Sequence, residues 1–237
     1  MSTSTRGRGF PLLWVAAVLG LAACQTSPPV VPQAKTAAAP FRMTAPANAR
    51  EYRIVAADSV LQILVYRGGP MARLGHNHVI TSHHLEGPVF MAEDPSQSRF
   101  DIRVPVNELT VDEPAMREVA GPDFPPGVPQ TARDGTRKNL LSEALLDAAN
   151  YPEIRLLATD VKIGAESWDT GVEITFRDSV YLMRVPVRVE QREGVLIARG
   201  EFLMNQSQLG LKPFSVAMGT LVVMDEMRIR FEIVARE

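Results

Sequence analysis

From Tyr52 onward, apolar and polar residues alternate along the chain with a period of two. In residues 100–106 every second side chain, beginning with Phe100, is apolar, and charged residues or a proline stand between them. Residues 181–189 and 228–233 repeat the pattern. Because successive side chains of a strand point to opposite faces, the pattern predicts antiparallel strands with one buried and one solvated face.

Other stretches share this strand character, namely residues 52–56, 59–66, 85–92, 153–163, 171–177, 194–204 and 216–225. Eight to ten strands with their apolar residues on one side predict an all-β closed barrel or a sandwich. A doubly wound parallel sheet is excluded, because it requires continuous apolar strands that alternate with helices. Pro105 and Pro186 cannot donate to a strand ladder, so we expect them at edges, bulges or outward-facing bends.

One short helix is predicted at residues 138–149, where Leu141, Leu145 and Ala148 form a single apolar stripe. The helix should end before Pro152, because the residue preceding a proline disfavours the helical conformation. The expected fold class is therefore all-β, mainly antiparallel, with one short helix.

The N-terminus has the parts of a secretory signal. Arg6 and Arg8 precede an apolar run at residues 12–24, which is too short for a membrane-spanning helix of about 20 residues. The run ends in Leu21-Ala22-Ala23-Cys24, which resembles the lipobox of bacterial lipoproteins. That resemblance implies cleavage of residues 1–23, acylation of Cys24 and, with Gln25 following, an outer-membrane anchor facing the periplasm. The alternative is a plain secretory signal with an incidental cysteine.

Residues 24–49 contain five prolines, several alanines and no acidic residue. Such a segment has no apolar period to bury, so it is predicted to be a disordered tether that joins the membrane anchor to a domain at residues 50–237. A single cysteine excludes an intrachain disulfide and a CxxC metal site. A net charge of −2 gives no basic footprint for nucleic acid.

Three segments of the domain, taken in order, resemble the YceI-like family of bacterial lipid- or polyisoprenoid-binding proteins. They are Tyr52–Ser59 (YRIVAADS), Ser142–Ile154 (SEALLDAANYPEI) and Ala198–Gly210 (ARGEFLMNQSQLG), the last similar to the family's G-x-F hairpin. The resemblance implies a lipocalin-like extended β-barrel with an elongated apolar cavity that holds an isoprenoid chain. An interior enclosed by eight strands is wide enough for one small ligand, in agreement with this reading.

The inward-facing apolar residues of the three clearest strands are the candidates for the cavity lining. They are Phe100, Ile102, Val104, Val106, Val185, Val187, Val189, Ile229, Phe231 and Ile233. The alternative is that these side chains fill a solid core, in which case the domain is a structural or interaction module without a ligand.

All four histidines fall within residues 76–84. On a strand, His76 and His78 would share a face and form half of a zinc or copper site, which His83 could join. A second hypothesis is head-group recognition, in which Arg73, His76 and His78 contact the phosphate of a prenyl phosphate. The third is that the imidazoles only hydrogen-bond to the backbone at the barrel mouth.

No catalytic template is present: the sequence lacks HExxH, GxSxG, P-loop and GxGxxG motifs. No catalytic residue and no cofactor is therefore predicted, and a binding protein is favoured over a hydrolase. The expected function is that of a lipid-anchored envelope protein that binds or carries an amphiphilic, isoprenoid ligand. The alternatives are a periplasmic metal-binding module and a structural barrel.

Overall fold

The computed structural model describes residue 1 and residues 41–237. The predicted signal peptide, Cys24 and the first part of the predicted tether lie outside the described residues. The strands are β1 (Arg50–Ile54), β2 (Val60–Gly68), β3 (His78–Ser82), β4 (Pro88–Met91), β5 (Arg99–Pro105), β6 (Thr110–Val111), β7 (Glu153–Lys162), β8 (Trp168–Phe176), β9 (Ser179–Arg192), β10 (Val195–Asn205), β11 (Ser215–Val216) and β12 (Leu221–Arg236).

These strands form a closed antiparallel barrel, which confirms the predicted fold class. Strand β12 closes it, because β12 pairs with β10 on one side and with both β2 and β1 on the other. At three places around the barrel, two strands lie one after the other along the same line of the wall. These pairs are β1 with β2, β3 with β4, and β5 with β6. Together with β7, β8, β9, β10 and β12 they make an eight-stranded wall.

Strand boundaries differ from the prediction in two places. The strands expected at residues 216–225 and 228–233 are mostly one long strand, β12, with a register shift between Val223 and Met227. Strand β3 begins at His78 and was not predicted as a separate strand. Pro186 lies on β9 opposite Asp169 of β8, and the pairing of β9 with β10 does not reach it, because that ladder ends at the Arg188–Arg199 pair. Pro105 is the last residue of β5.

The single predicted helix is wrong in position and number. The structure has helices α1 (Pro114–Ala120) and α2 (Gln130–Leu141), whereas residues 142–150 form successive turns. Helix α2 has no buried residue, so it carries no apolar stripe in its first two turns that could reveal it in the sequence. No helix in the described part of the chain is long and apolar enough to cross a membrane.

Strand β2 is buried on both faces. Ile63 and Val65 point into the barrel, whereas Leu64 packs outside it in a separate cluster with Ala120 of α1 and with Phe124. Helix α1 and the loop after it therefore cover this part of the outer wall, although the alternating pattern predicts a solvated outer face.

The outer face of β5 is also covered. Asp101 is fully buried, and its carboxylate accepts hydrogen bonds from the backbone N–H groups of Arg42 and Met43 at 2.6 and 3.1 Å. The ring of Phe41 lies 3.9 Å from the guanidinium of Arg103. Residues 41–43 therefore pack against the outer face of β5.

Candidate functional site

The barrel encloses an apolar cavity of about 270 Å³, close to the lower end of the range for small-molecule sites, roughly 300–1,000 Å³. All of the ten residues predicted to line it do so except Val106. Val106 is buried in the core but belongs to a 3₁₀ turn, because strand β5 ends at Pro105 and the alternation of faces stops there.

The cavity runs along the barrel, since its lining comes from two hydrophobic clusters. One cluster includes Val65 and Ile80, and the other includes Val89 and Leu196. Polar lining residues are few, and Arg99 among them donates to the carbonyl oxygens of Ser96 and Ser98 at 3.0 and 2.7 Å. An interior of this composition suits an apolar chain.

A second space of about 170 Å³, which we name the polar chamber, adjoins the cavity. The two share part of their lining, including Ile80, Leu140 and Gln206. The chamber adds polar side chains that the cavity lacks, namely Arg67, His76, His78, Thr136 and Asn139. An amphiphile with its chain in the cavity could therefore place a polar group in the chamber.

His78 is held in the chamber by a buried network. Its Nδ1 lies 2.6 Å from the carboxylate of Asp112, which also accepts from the backbone N–H of Val79 at 2.9 Å and from Arg117 Nη1 at 2.5 Å. The side chain of Asp112 is 0% exposed, that of Arg117 3% and that of His78 14%. Arg117 also donates to the carbonyl oxygens of Asn77 and Pro125, which joins α1 and its loop to the barrel.

The surroundings of Asp112 favour its ionised form. Burial by itself would raise the pKa of this carboxyl, but hydrogen bonds from His78, Val79 and Arg117 outweigh it and hold the pKa below its usual value. An ionised carboxylate can only accept a hydrogen bond, so Nδ1 of His78 carries a proton. The other nitrogen, Nε2, lies 3.4 Å from the hydroxyl of Thr136 on the chamber side.

The structure brings together only some of the predicted polar residues. His76 precedes β3 and is not on a strand, yet it lines the chamber with His78, and their ring centroids are 6.1 Å apart. Arg73 is exposed and does not line the chamber, where Arg67 is the arginine present.

The predicted metal site has little support from the arrangement of its candidates. His83 lies apart from the chamber lining, with Nε2 3.2 Å from a carboxylate oxygen of Glu113. Residues 41–237 contain no group of three or more histidine, cysteine, aspartate or glutamate side chains placed to hold a metal ion. Nδ1 of His78 is already occupied by Asp112, which leaves Nε2 as its only available nitrogen.

Sequence reasoning missed Asp112, Arg117 and Thr136. They lie between 34 and 58 positions from His78 in the chain, and no local motif joins them. Asp112 follows directly on β6, whose pairing with β3 brings it beside His78 and Val79. Only the order of the strands could have indicated this neighbourhood.

Comparisons with known proteins agree with this architecture. The model of the YceI-like domain matches residues 52–235. Among solved structures, BcnA of Burkholderia cenocepacia is similar with a TM-score of 0.57 and 13% identity, over 76% of this chain and 98% of that one. A YceI protein of Campylobacter jejuni is similar with a TM-score of 0.46 and 10% identity, over 65% and 81%. Comparison with curated protein sequences gives no match.

Proposed function

Because the chain belongs to the YceI-like family, we propose that it binds and carries an amphiphilic ligand with an isoprenoid chain in the barrel cavity. The observation that carries the proposal is the apolar interior, which extends across two hydrophobic clusters and adjoins a smaller polar space. Family membership is consistent with a hydrophobic ligand, and YceI-like barrels are ligand-binding and not catalytic proteins.

Binding of this kind would be driven by removal of an apolar chain from water. Each buried methylene contributes about 0.8 kcal/mol, so several isoprene units can give tight binding without a dense set of polar contacts. Branched aliphatic side chains such as Val185, Val187 and Ile229 line the cavity. This lining supports an apolar chain as the ligand, and the isoprenoid class is what the family resemblance implies.

We also propose that the domain works at the cell envelope. The lipobox-like sequence at residues 21–24 would place acyl chains on Cys24, and two or more chains are needed for stable anchoring. The proline-rich residues that follow would separate the domain from an outer membrane, on its periplasmic side. A carrier in that position could take up a lipid released into the periplasm.

Native mass spectrometry of the full chain, extracted from bacterial membranes with a mild detergent, tests the binding proposal. We expect an added mass that organic extraction identifies as an isoprenoid amphiphile. Ala198→Phe on β10 places a ring inside the cavity and should raise the dissociation constant at least about tenfold, since roughly 1.4 kcal/mol of lost binding suffices, so the bound fraction should fall. Leu203→Phe, on the exposed face of the same strand, is the matched control and should bind as the wild type does.

The two results that would overturn the binding proposal are a wild-type protein free of any amphiphile and equal occupancy in both phenylalanine variants. The anchor is tested separately by metabolic labelling with a palmitate analogue and by membrane fractionation. We expect label on the wild type and none on Cys24→Ala. Label on both, or on neither, would contradict lipidation at this cysteine.

A further inference from the structure

We propose that the polar chamber is a binding site for an anionic head group, a carboxylate or a phosphate, with His78 as its central contact. The inference rests on the proposed function, because the head group belongs to the same amphiphile whose chain occupies the cavity. The chamber and the cavity share lining residues, so one molecule can reach both.

The charge of the chamber lining points to an anion. Its basic side chains are Arg67, His76 and His78, and no aspartate or glutamate is among the lining residues that the structure describes. Asp112 lies behind His78 and is neutralised by its ion pair with Arg117 at 2.5 Å, so its charge does not oppose an anion in the chamber. Charge-assisted hydrogen bonds from imidazolium and guanidinium groups are the usual means of holding such head groups.

The buried network gives His78 a fixed orientation. Asp112 holds Nδ1, so Nε2 is the nitrogen that a head group meets, and among the described residues its partner there is the hydroxyl of Thr136 at 3.4 Å. With an anion in the chamber, a proton on Nε2 donates to the anion while Nδ1 continues to donate to Asp112. The charged and titratable groups around the ring on all sides are Asp112 after β6, Arg117 on α1, Arg67 on β2, Arg133 on α2 and His76 before β3.

The remaining polar groups complete a site of modest size. The described structure shows no hydrogen bond from the His76 ring or from the side-chain amide of Asn139, so both can turn to a ligand. Arg67 Nη1 donates to the carbonyl oxygen of Gly75 at 2.5 Å, which leaves its other N–H groups available. Asp112 and Arg117 are positioning residues, since they act on a ligand only through His78.

Three probes of equal chain length test the inference: dodecyl phosphate, dodecanoate and dodecanol. All residues that line the cavity and the chamber lie between Leu61 and Ile233, so residues 41–237 are used for the titration in the absence of detergent. We expect titration calorimetry to show at least one anionic probe bound about tenfold or more tightly than dodecanol, as one charge-assisted hydrogen bond provides. The preferred anion then identifies the head group as a phosphate or a carboxylate.

Variants assign the preference to the chamber. His78→Phe should bring the ratio of anion to dodecanol affinity close to one, and Arg67→Met, at an exposed residue that is not part of the buried network, should lower it severalfold. His84→Phe is the matched control, because His84 is exposed and outside the chamber lining, and it should keep the wild-type ratio.

Three results would overturn the inference: equal affinity for all three probes, an anionic preference that survives both His78→Phe and Arg67→Met, or loss of that preference in His84→Phe. Failure of every probe to bind, dodecanol included, would instead refute the cavity proposal on which the inference depends.

The positioning role of Asp112 has a separate readout. Long-range ¹H–¹⁵N NMR spectra should show His78 protonated at Nδ1 in the free protein and at both nitrogens after dodecyl phosphate is added. In Asp112→Asn the amide can donate as well as accept, so we expect a mixture of tautomers and a weaker anionic preference. An unchanged tautomer in a folded Asp112→Asn protein would show that Asp112 does not position the ring.

Discussion

Two fully buried aspartates, Asp101 and Asp112, lie in the wall of this barrel, and they differ in whether a histidine is among their hydrogen-bond partners. Asp101 accepts two hydrogen bonds from Arg155, at 2.8 and 2.6 Å, and two from backbone N–H groups of the segment before β1. Asp112 is likewise paired with an arginine and a backbone N–H, but its last partner is the imidazole of His78.

The difference separates a cluster that lies entirely within the wall from one that reaches a pocket. The partners of Asp101 lie within the wall, so the cluster fastens residues 41–43 to β5 and β7. In contrast, the imidazole on Asp112 has a second nitrogen that faces the polar chamber. Asp112 can therefore orient the imidazole that reaches the chamber. The hydrogen bonds of Asp101 all lie within the wall, so they contribute to the stability of the fold.

The largest effect is expected from Arg155→Met. The variant leaves the Asp101 carboxylate buried with only backbone donors, and removal of one member of a buried ion pair costs about 3–5 kcal/mol. Urea unfolding followed by circular dichroism measures the loss. Arg199→Met removes an exposed arginine paired with Glu232 and is the control, with an expected cost of about 0–1 kcal/mol. Similar losses of unfolding free energy in the two variants would mean that the buried ion pair stabilises the fold no more than the exposed one.

A smaller loss is expected from Arg117→Met, on the order of 2 kcal/mol. In this variant Asp112 keeps the imidazole of His78 as a side-chain partner, whereas Asp101 in Arg155→Met keeps only backbone donors. Urea unfolding measures the difference. A loss in Arg117→Met as large as that in Arg155→Met would show that His78 does not compensate Asp112.

Acid should destabilise both clusters. Burial would raise the pKa of Asp101, but hydrogen bonds from Arg155, Met43 and Arg42 outweigh it, so the pKa values of Asp101 and Asp112 both lie below the usual value. The ionised carboxylates thus stabilise the fold above about pH 4, and this contribution is lost as the pH falls through the lowered pKa values. Each group can add up to about 1.4 kcal/mol per pH unit to the slope.

Denaturant titrations between pH 2 and 6 measure these slopes. Asp101→Asn and Asp112→Asn should each reduce the slope below pH 4 by the contribution of one carboxylate, even though both variants are less stable at neutral pH. A slope unchanged by either substitution would mean that the acid sensitivity arises from other carboxyl groups.

The sequence predicts the apolar cavity much better than it predicts the polar chamber, for a physical reason. Period-two alternation is a local property, so residues such as Ile102 and Val187 could be assigned to the interior from their own strands. The one failure in that set, Val106, came where a proline ended the strand. The pairing of His78 with Asp112 depends instead on β3 meeting β6, which is decided by the packing of the whole barrel.

Helix α2 shows the same limit in another form. Its residues 130–138 are mostly polar, and it is held at the chamber partly by bonds from Arg137 to the carbonyl oxygens of Leu109 and Asn107. Side-chain bonds of this kind leave no periodic pattern in the sequence. The helix was therefore assigned too late in the chain, to the apolar stripe at residues 138–149.

The smallest effect concerns this helix, which borders the chamber but not the Asp101 cluster. Gly135 lies within α2, and a Cβ added there meets no atom within 4 Å. Gly135→Ala should raise the unfolding free energy by about 0.5–1 kcal/mol, because alanine loses less backbone entropy in a helix. If α2 unfolds together with the barrel, thermal and urea unfolding will show this gain in unfolding free energy. No gain in global stability, together with greater protection of the α2 amides in hydrogen exchange, would show that α2 opens independently of the barrel.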